Sequence, residues 1–172
     1  MPDGPRRTSR AGRRGPLAVD VSLGGVRAGV SRAELAAVVA FVLRAEGVRH
    51  ALVSVALLSP HAIARLNREH RGHAGSTDVI SFSLASGGRP PVPIVADIYL
   101  CPAVARANAR GLGASSRTEM LRIAIHGALH ATGWDHPSGA RRMQSPMWAR
   151  QEQLLAAWGR RAARTHRRQV AA

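Results

Sequence analysis

The chain has no lysine, a single cysteine and only 10 acidic residues among 172. A lone cysteine, Cys101, excludes a disulfide within the chain and fits a reducing compartment. No apolar run approaches the ~18 residues that a membrane span requires, so no membrane role is expected. The arginine-rich start lacks the hydrophobic stretch of a secretory signal, because Asp20 interrupts the first apolar run. Its glycine and proline content also argues against the amphipathic helix of an organelle transit peptide. The cytoplasm is therefore the expected location. Internal repeats are absent, and this length suits one domain able to bury roughly two thirds of its unfolded surface without staples.

With lysine missing, all 25 strongly basic residues are arginine, and the formal charge is +15. Arginine forks bidentately onto phosphate, which makes nucleic acid the natural partner of such a surface. A genome rich in Arg, Ala, Gly and Pro codons would produce a similar excess, so the placement of the charge matters more than its total. Residues 1–16 hold five arginines and one acid, and residues 159–172 hold five arginines and no acid; between them lie 15 arginines against 9 acids, a balance of +6. The interior is thus basic in its own right. Both ends lack the periodic apolar residues that offset ordering entropy and are expected to be without order. The organisation expected is a basic tail over 1–16, one domain over 17–158 and a basic tail over 159–172.

Alternation of apolar and polar residues predicts strands at 17–23, 50–58, 78–84 and 94–100. A Gly/Pro-rich connection at 86–93 separates the last two, a length that suits a hairpin or an edge crossing. Ser31 to Glu34 forms a capping-box pattern that opens a helix to about Ala45, and Ser59–Pro60 opens another to about His70. A short helix is expected from Pro102 to Gly111. A second capping box, Ser116 to Glu119, starts a helix carrying Met120, Ile123 and Ile125, and a last helix is expected from Ser138 to Trp158. About four strands and about five helices without strict βαβ alternation read as a compact α+β domain.

The richest segment is HGALHATGWDH, where His126, His130 and His136 fall within eleven residues. Histidines four apart share a helix face, and a third six residues later can return to them only if the helix stops between. Gly133 supplies that stop; each histidine alone also fits a packed helix-face or loop residue, but the set with its glycine reads as a site for one zinc ion at a helix C-terminal end. The spacing matches the zinc frame of metzincin peptidases at all three ligands and the glycine, but Gly127 stands where those enzymes carry the glutamate base. Three neutral imidazoles leave an open position for water, whose pKa falls to around 7, so a strong base is dispensable. An arginine is the expected helper for a phosphoryl transition state. Arg71, at a helix end, is one candidate, although its position alone also fits a solvated charge. Asp135 reads equally as an outer partner or general base and as a turn residue capping the chain after Gly133. Thr77–Asp78 reads as a local cap, and Met147 and Glu152 as packing and salt-bridge residues.

Four segments together resemble the YbeY family of bacterial endoribonucleases, or rRNA maturation factors: LNREHRGHAGSTDVISF at 66–82, ADIYL at 96–100, EMLRIAIHGALHATGWDH at 119–136 and MWARQEQLL at 147–155. The likeness covers about half the chain directly. It implies an α+β fold, zinc on His126, His130 and His136, and an essential arginine that falls on Arg71. It also implies metal-dependent cleavage of single-stranded RNA in rRNA maturation and ribosome quality control, centred on the small subunit, with no DNA substrate. Departures from the family pattern are Trp134, Ser76, Ala96 and Ala131–Thr132, and none is a proposed ligand. Two other classes stay open at this point: a metallopeptidase, and a non-catalytic assembly factor whose structural zinc is closed by a fourth ligand such as Cys101 or His73.

Overall fold

The computed structural model describes residues 17–83, 93–137 and 139–170; the basic segment 1–16 and most of the connection at 86–93 lie outside the described residues. Among the described residues, the strands are β1 (Leu17–Ser22), β2 (Ala51–Leu57), β3 (Val79–Ser83) and β4 (Ile94–Leu100). The helices are α1 (Arg32–Ala45), α2 (Pro60–Arg71), α3 (Pro102–Gly111), α4 (Ser116–Ala131) and α5 (Pro146–Val170), with a 3-10 helix at Gly139–Gln144. The sheet runs β1-β2-β4-β3, in which β1, β2 and β4 are parallel and β3 is an antiparallel edge paired to β4. This is the α+β domain expected, and β3 and β4 form the hairpin pair.

Register and alternation together give the sheet one closed face. Val53, Val55 and Leu57 align with Ala96, Ile98 and Leu100, and all six are buried. Helix α4 lies over this face and packs against α1, α3, α5, β3 and β4. That central position explains why α4 is buried almost all round, histidine included, instead of along one stripe. Ile80 and Phe82 turn to the opposite face of the hairpin, where they cluster with Ile63 of α2 and Cys101. Helix α2 is thereby fixed beside β3.

Two boundaries differ from expectation for local reasons. Helix α4 is capped by Ser115, not Ser116: its hydroxyl accepts from the Thr118 backbone N–H at 3.0 Å. Glu119 is then free of capping duty and forms a buried ion pair with Arg122. The chain after Ser138 forms a 3-10 helix before α5 begins at Pro146. Helix α5 also continues well past Trp158, through much of the stretch expected to lack order, as far as Val170. Leu154 and Trp158 anchor it in the core, and the Arg- and Ala-rich continuation consists largely of strong helix formers.

Candidate metal centre and its cavity

The last turns of α4 carry His126 and His130 on one face, and the helix then stops. Trp134 N–H donates to the Leu129 carbonyl at 3.1 Å and Gly133 N–H to the His130 carbonyl at 3.0 Å. Gly133 has φ 91°, in the left-handed region where a side chain would be strained. The reversal is tied down from outside by Glu46, which accepts from Trp134 Nε1 and from Arg150 Nε, each at 2.8 Å. His136 is returned to the helix end in this way.

The three Nε2 atoms meet. His126 Nε2 lies 3.1 Å from that of His130 and 3.2 Å from that of His136. Each ring is oriented by an acceptor at Nδ1: Gln151 Oε1 at 2.8 Å for His126, the Trp134 carbonyl at 3.0 Å for His130, and the Pro137 carbonyl at 2.9 Å for His136. Gln151 can only accept there, because its Nε2 donates to Glu152 at 2.9 Å. Every Nδ1 is therefore the protonated nitrogen, and three Nε2 lone pairs face one another with no proton between them. A metal cation placed between them would relieve that repulsion and use all three lone pairs. Nitrogens at two corners of a tetrahedral zinc site stand roughly 3.3 Å apart, given a Zn–N distance of ~2.0–2.1 Å. The residues present fit such an ion.

Electrostatics favours the neutral form of His126 and His130. Burial, and then the neighbouring His130, lowers the His126 pKa from 6.5 to about 4, and burial followed by His136 lowers that of His130. Neutral imidazole is the form that ligates. Behind Gln151, the Glu152 carboxylate accepts from Arg122 Nε at 2.9 Å, and Arg122 also pairs with Glu119. The support for the His126 ring thus runs four side chains deep. Among the described residues, these three histidines form the one group able to hold a metal. Cys101 is buried beside Ile63 and Ile80, and His73 is exposed; neither joins the group.

Gly127, the departure from the peptidase frame, has a steric cause. A Cβ there would meet Ile98 Cγ2 at 2.7 Å and Val79 Cγ2 and Ser81 Oγ at 3.0 Å, and Ser81 Oγ donates to the Gly127 carbonyl. Position 127 is where α4 touches the sheet. A glutamate has no room there and would not face the ligand nitrogens.

The histidines form part of the wall of a cavity of about 150 Å³ that also includes Arg71, Thr77, Asp78, Ser81 and Arg142. Arg71 is the last residue of α2, and Gly72 caps that helix at φ 67°. The Arg71 guanidinium donates to the Ser81 carbonyl at 3.5 Å, a weak tether. Asn67, one turn earlier, donates to the Gly75 carbonyl at 3.1 Å and holds the loop that delivers Thr77 and Asp78. The Asp78 carboxylate accepts from Val79 N–H at 2.9 Å and from the Thr77 hydroxyl at 3.2 Å. It does act as a local cap, and it also lines the cavity. Asp135 is exposed, with its carboxylate accepting from His136 N–H at 2.8 Å, and it is not part of the cavity wall.

Sequence reasoning missed Arg142, Gln151 and, as a site residue, Asp78. For Arg142 and Gln151 no local signal was available: they reach the site through the fold, one from the 3-10 helix and one from α5.

Residues 27–159 match the family model described as Endoribonuclease YbeY. The chain belongs to the YbeY endoribonuclease family. A Frankia casuarinae protein named Endoribonuclease YbeY is 37% identical over 139 residues, covering 75% of this chain and 68% of that one. Its Mycobacterium tuberculosis namesake is 38% identical over 138 residues, covering 75% and 77%. Among solved structures, the solution structure of TM1509 from Thermotoga maritima matches with a TM-score of 0.58 at 26% identity, covering 86% of this chain and 93% of that one. The YbeY span contains Arg71, Asp78, Arg142 and all three histidines, and leaves out the arginine-rich stretches at both ends.

Proposed function

We propose that this YbeY-family chain is a zinc-dependent endoribonuclease that cuts single-stranded RNA in ribosomal RNA maturation and in quality control of the small ribosomal subunit. The observation that carries the reading is the convergence of three histidine Nε2 atoms in a cavity that also holds two arginines. Zinc bound there would supply Lewis-acid polarisation and acidify a coordinated water towards pH 7. The protein's own groups do the rest. Arg71 and Arg142 grip the non-bridging phosphate oxygens and stabilise the charge that develops on them. Asp78, the carboxylate of the cavity wall, takes the proton from the attacking hydroxyl, whether that is water or the ribose 2′-OH. Asp135 holds the His136 backbone from outside the cavity wall, a positioning role. Three protein ligands favour catalysis over a closed structural site, and the sheet packed against Gly127 removes the base a peptidase of this frame would need.

The test is cleavage of single-stranded RNA after chelation and zinc add-back. Activity should disappear with the metal and return with zinc; cleavage indifferent to the chelator would refute the proposal. Product ends then identify the nucleophile, since a cyclic phosphate marks the 2′-hydroxyl and a 5′-phosphate marks water.

A further inference from the structure

Beside the metal cavity lies a larger one, of about 440 Å³, and the two share Asp78, His126 and Arg142 as common wall. Its character is different. The outer rim carries Leu112 and Met143, 57% and 59% exposed, two of the four large hydrophobic side chains left in solvent among the described residues. Trp148 forms another side, and the Arg142 guanidinium lies over its ring at 5.7 Å from the centroid. Asn108 and Asp78 supply a polar edge, with Asn108 Nδ2 donating to Asp78 Oδ2 at 3.4 Å. The volume lies in the range of small-ligand pockets, roughly 300–1,000 Å³.

We infer that this second cavity is a base pocket, which takes an unpaired nucleobase next to the phosphate held at the metal site. The inference rests on the endoribonuclease reading and deepens it. An indole and a planar guanidinium are the two surfaces on which single-stranded bases stack. At the polar edge the Asn108 amide can donate to and accept from a base edge. Arg142 belongs to both cavities, so one residue can grip the phosphate and stack on the attached nucleotide. Leu112, Ile123, Met143 and Trp148 give the cavity apolar walls for the faces of a base, the paired Glu119 and Arg122 and the amide of Gln151 also line it, and Arg142 leads from it to the metal cavity. Trp148 and Arg142 become specificity-determining residues: they select RNA that is unpaired at the cut, because a paired base cannot leave its stack to enter the pocket.

The experiment uses zinc-loaded full-length protein and a short 2′-O-methyl single strand carrying one abasic position, moved stepwise along the strand. Affinity is read by fluorescence anisotropy, alongside cleavage of the unmodified RNA. Wild type should show one position where removing the base weakens binding by about tenfold or more, the size expected of one stacked base. Trp148→Ala should erase that dependence with zinc content unchanged, and Trp148→Phe should restore much of it. Leu112→Asp, on an exposed residue that no core contact requires, should erase it as well. If RNA is cleaved but abasic penalties are uniform, or are the same in wild type and both Trp148→Ala and Leu112→Asp, the pocket is not a base site and the nuclease reading stands. If the protein neither binds nor cleaves RNA, both fall together.

Discussion

On one side of the metal cavity, three ligand nitrogens come from eleven consecutive residues, and each ring is fixed twice, by its place on α4 or the following turn and by an acceptor at Nδ1. On the other side, Arg71, Asp78 and Arg142 come from α2, the loop before β3 and the 3-10 helix, and Arg71 is tethered only by a 3.5 Å contact to the Ser81 carbonyl. The ligand side is preorganised and the phosphate side adjustable. A metal site gains affinity from rigid donors, whereas the phosphate contacts proposed for the arginines call for groups that can adapt as charge and geometry change during cleavage. Damage to the two sides should therefore have different signatures.

Breaking the ligand side should have the largest effect: His130→Ala should lose both bound zinc, measured by metal analysis, and RNA cleavage. Retained cleavage would separate metal from mechanism. On the phosphate side, Arg71→Ala should lower kcat by about a hundred- to a thousandfold, the usual loss for a group that stabilises transition-state charge. Its zinc content and melting temperature should match wild type; unchanged kcat would remove Arg71 from the site. An intermediate case sharpens the contrast. Gln151→Leu removes the acceptor behind His126 without touching a ligand, and should weaken zinc by about ten- to a hundredfold, as read by competition with a chelator.

The smaller effects are on stability. The folded His126 pKa, about 4, lies below the 6.5 of an unfolded histidine. As pH falls from about 6.5 to about 4, the unfolded chain therefore takes up a proton that the folded one resists. Metal-free protein should lose stability through that window, by about 3 kcal/mol from this residue, and none from it above pH 6.5. Denaturant melts of apo protein at pH 7 and pH 5 check this, and equal midpoints would contradict it. Gly127→Ala should cost about 1–2 kcal/mol despite the higher helix propensity of alanine, because the added methyl meets the β-branched Ile98 in a packed sheet. Thermal melts would show it, and a stabilised variant would mean that α4 can move off the sheet.

The same division governs what could be read before the fold was known. The convergence of the three histidines was legible because a helix, a glycine stop and a third histidine are all encoded within one short stretch, and Ser31 and Ser59 likewise announced α1 and α2 by caps that act within three residues. Arg71 was one helix-end arginine among many candidates until the family likeness singled it out. Arg142 and Gln151 stayed hidden, since their approach to His126 depends on how α5 and the 3-10 helix pack on α4, a long-range outcome with no local signature. The length of α5 was missed for a related reason. Its final turns carry arginine and alanine in place of an apolar stripe, and their order follows from the anchor at Leu154 and Trp158.

The most direct measurement compares wild type with His126→Ala for zinc content and for cleavage of a single-stranded RNA in the same preparation. Wild type should hold one zinc per chain and cleave the RNA, with both lost in a variant that remains folded. A folded His126→Ala protein that still cleaves RNA, or a zinc-free wild type that cleaves equally well, would contradict this expectation.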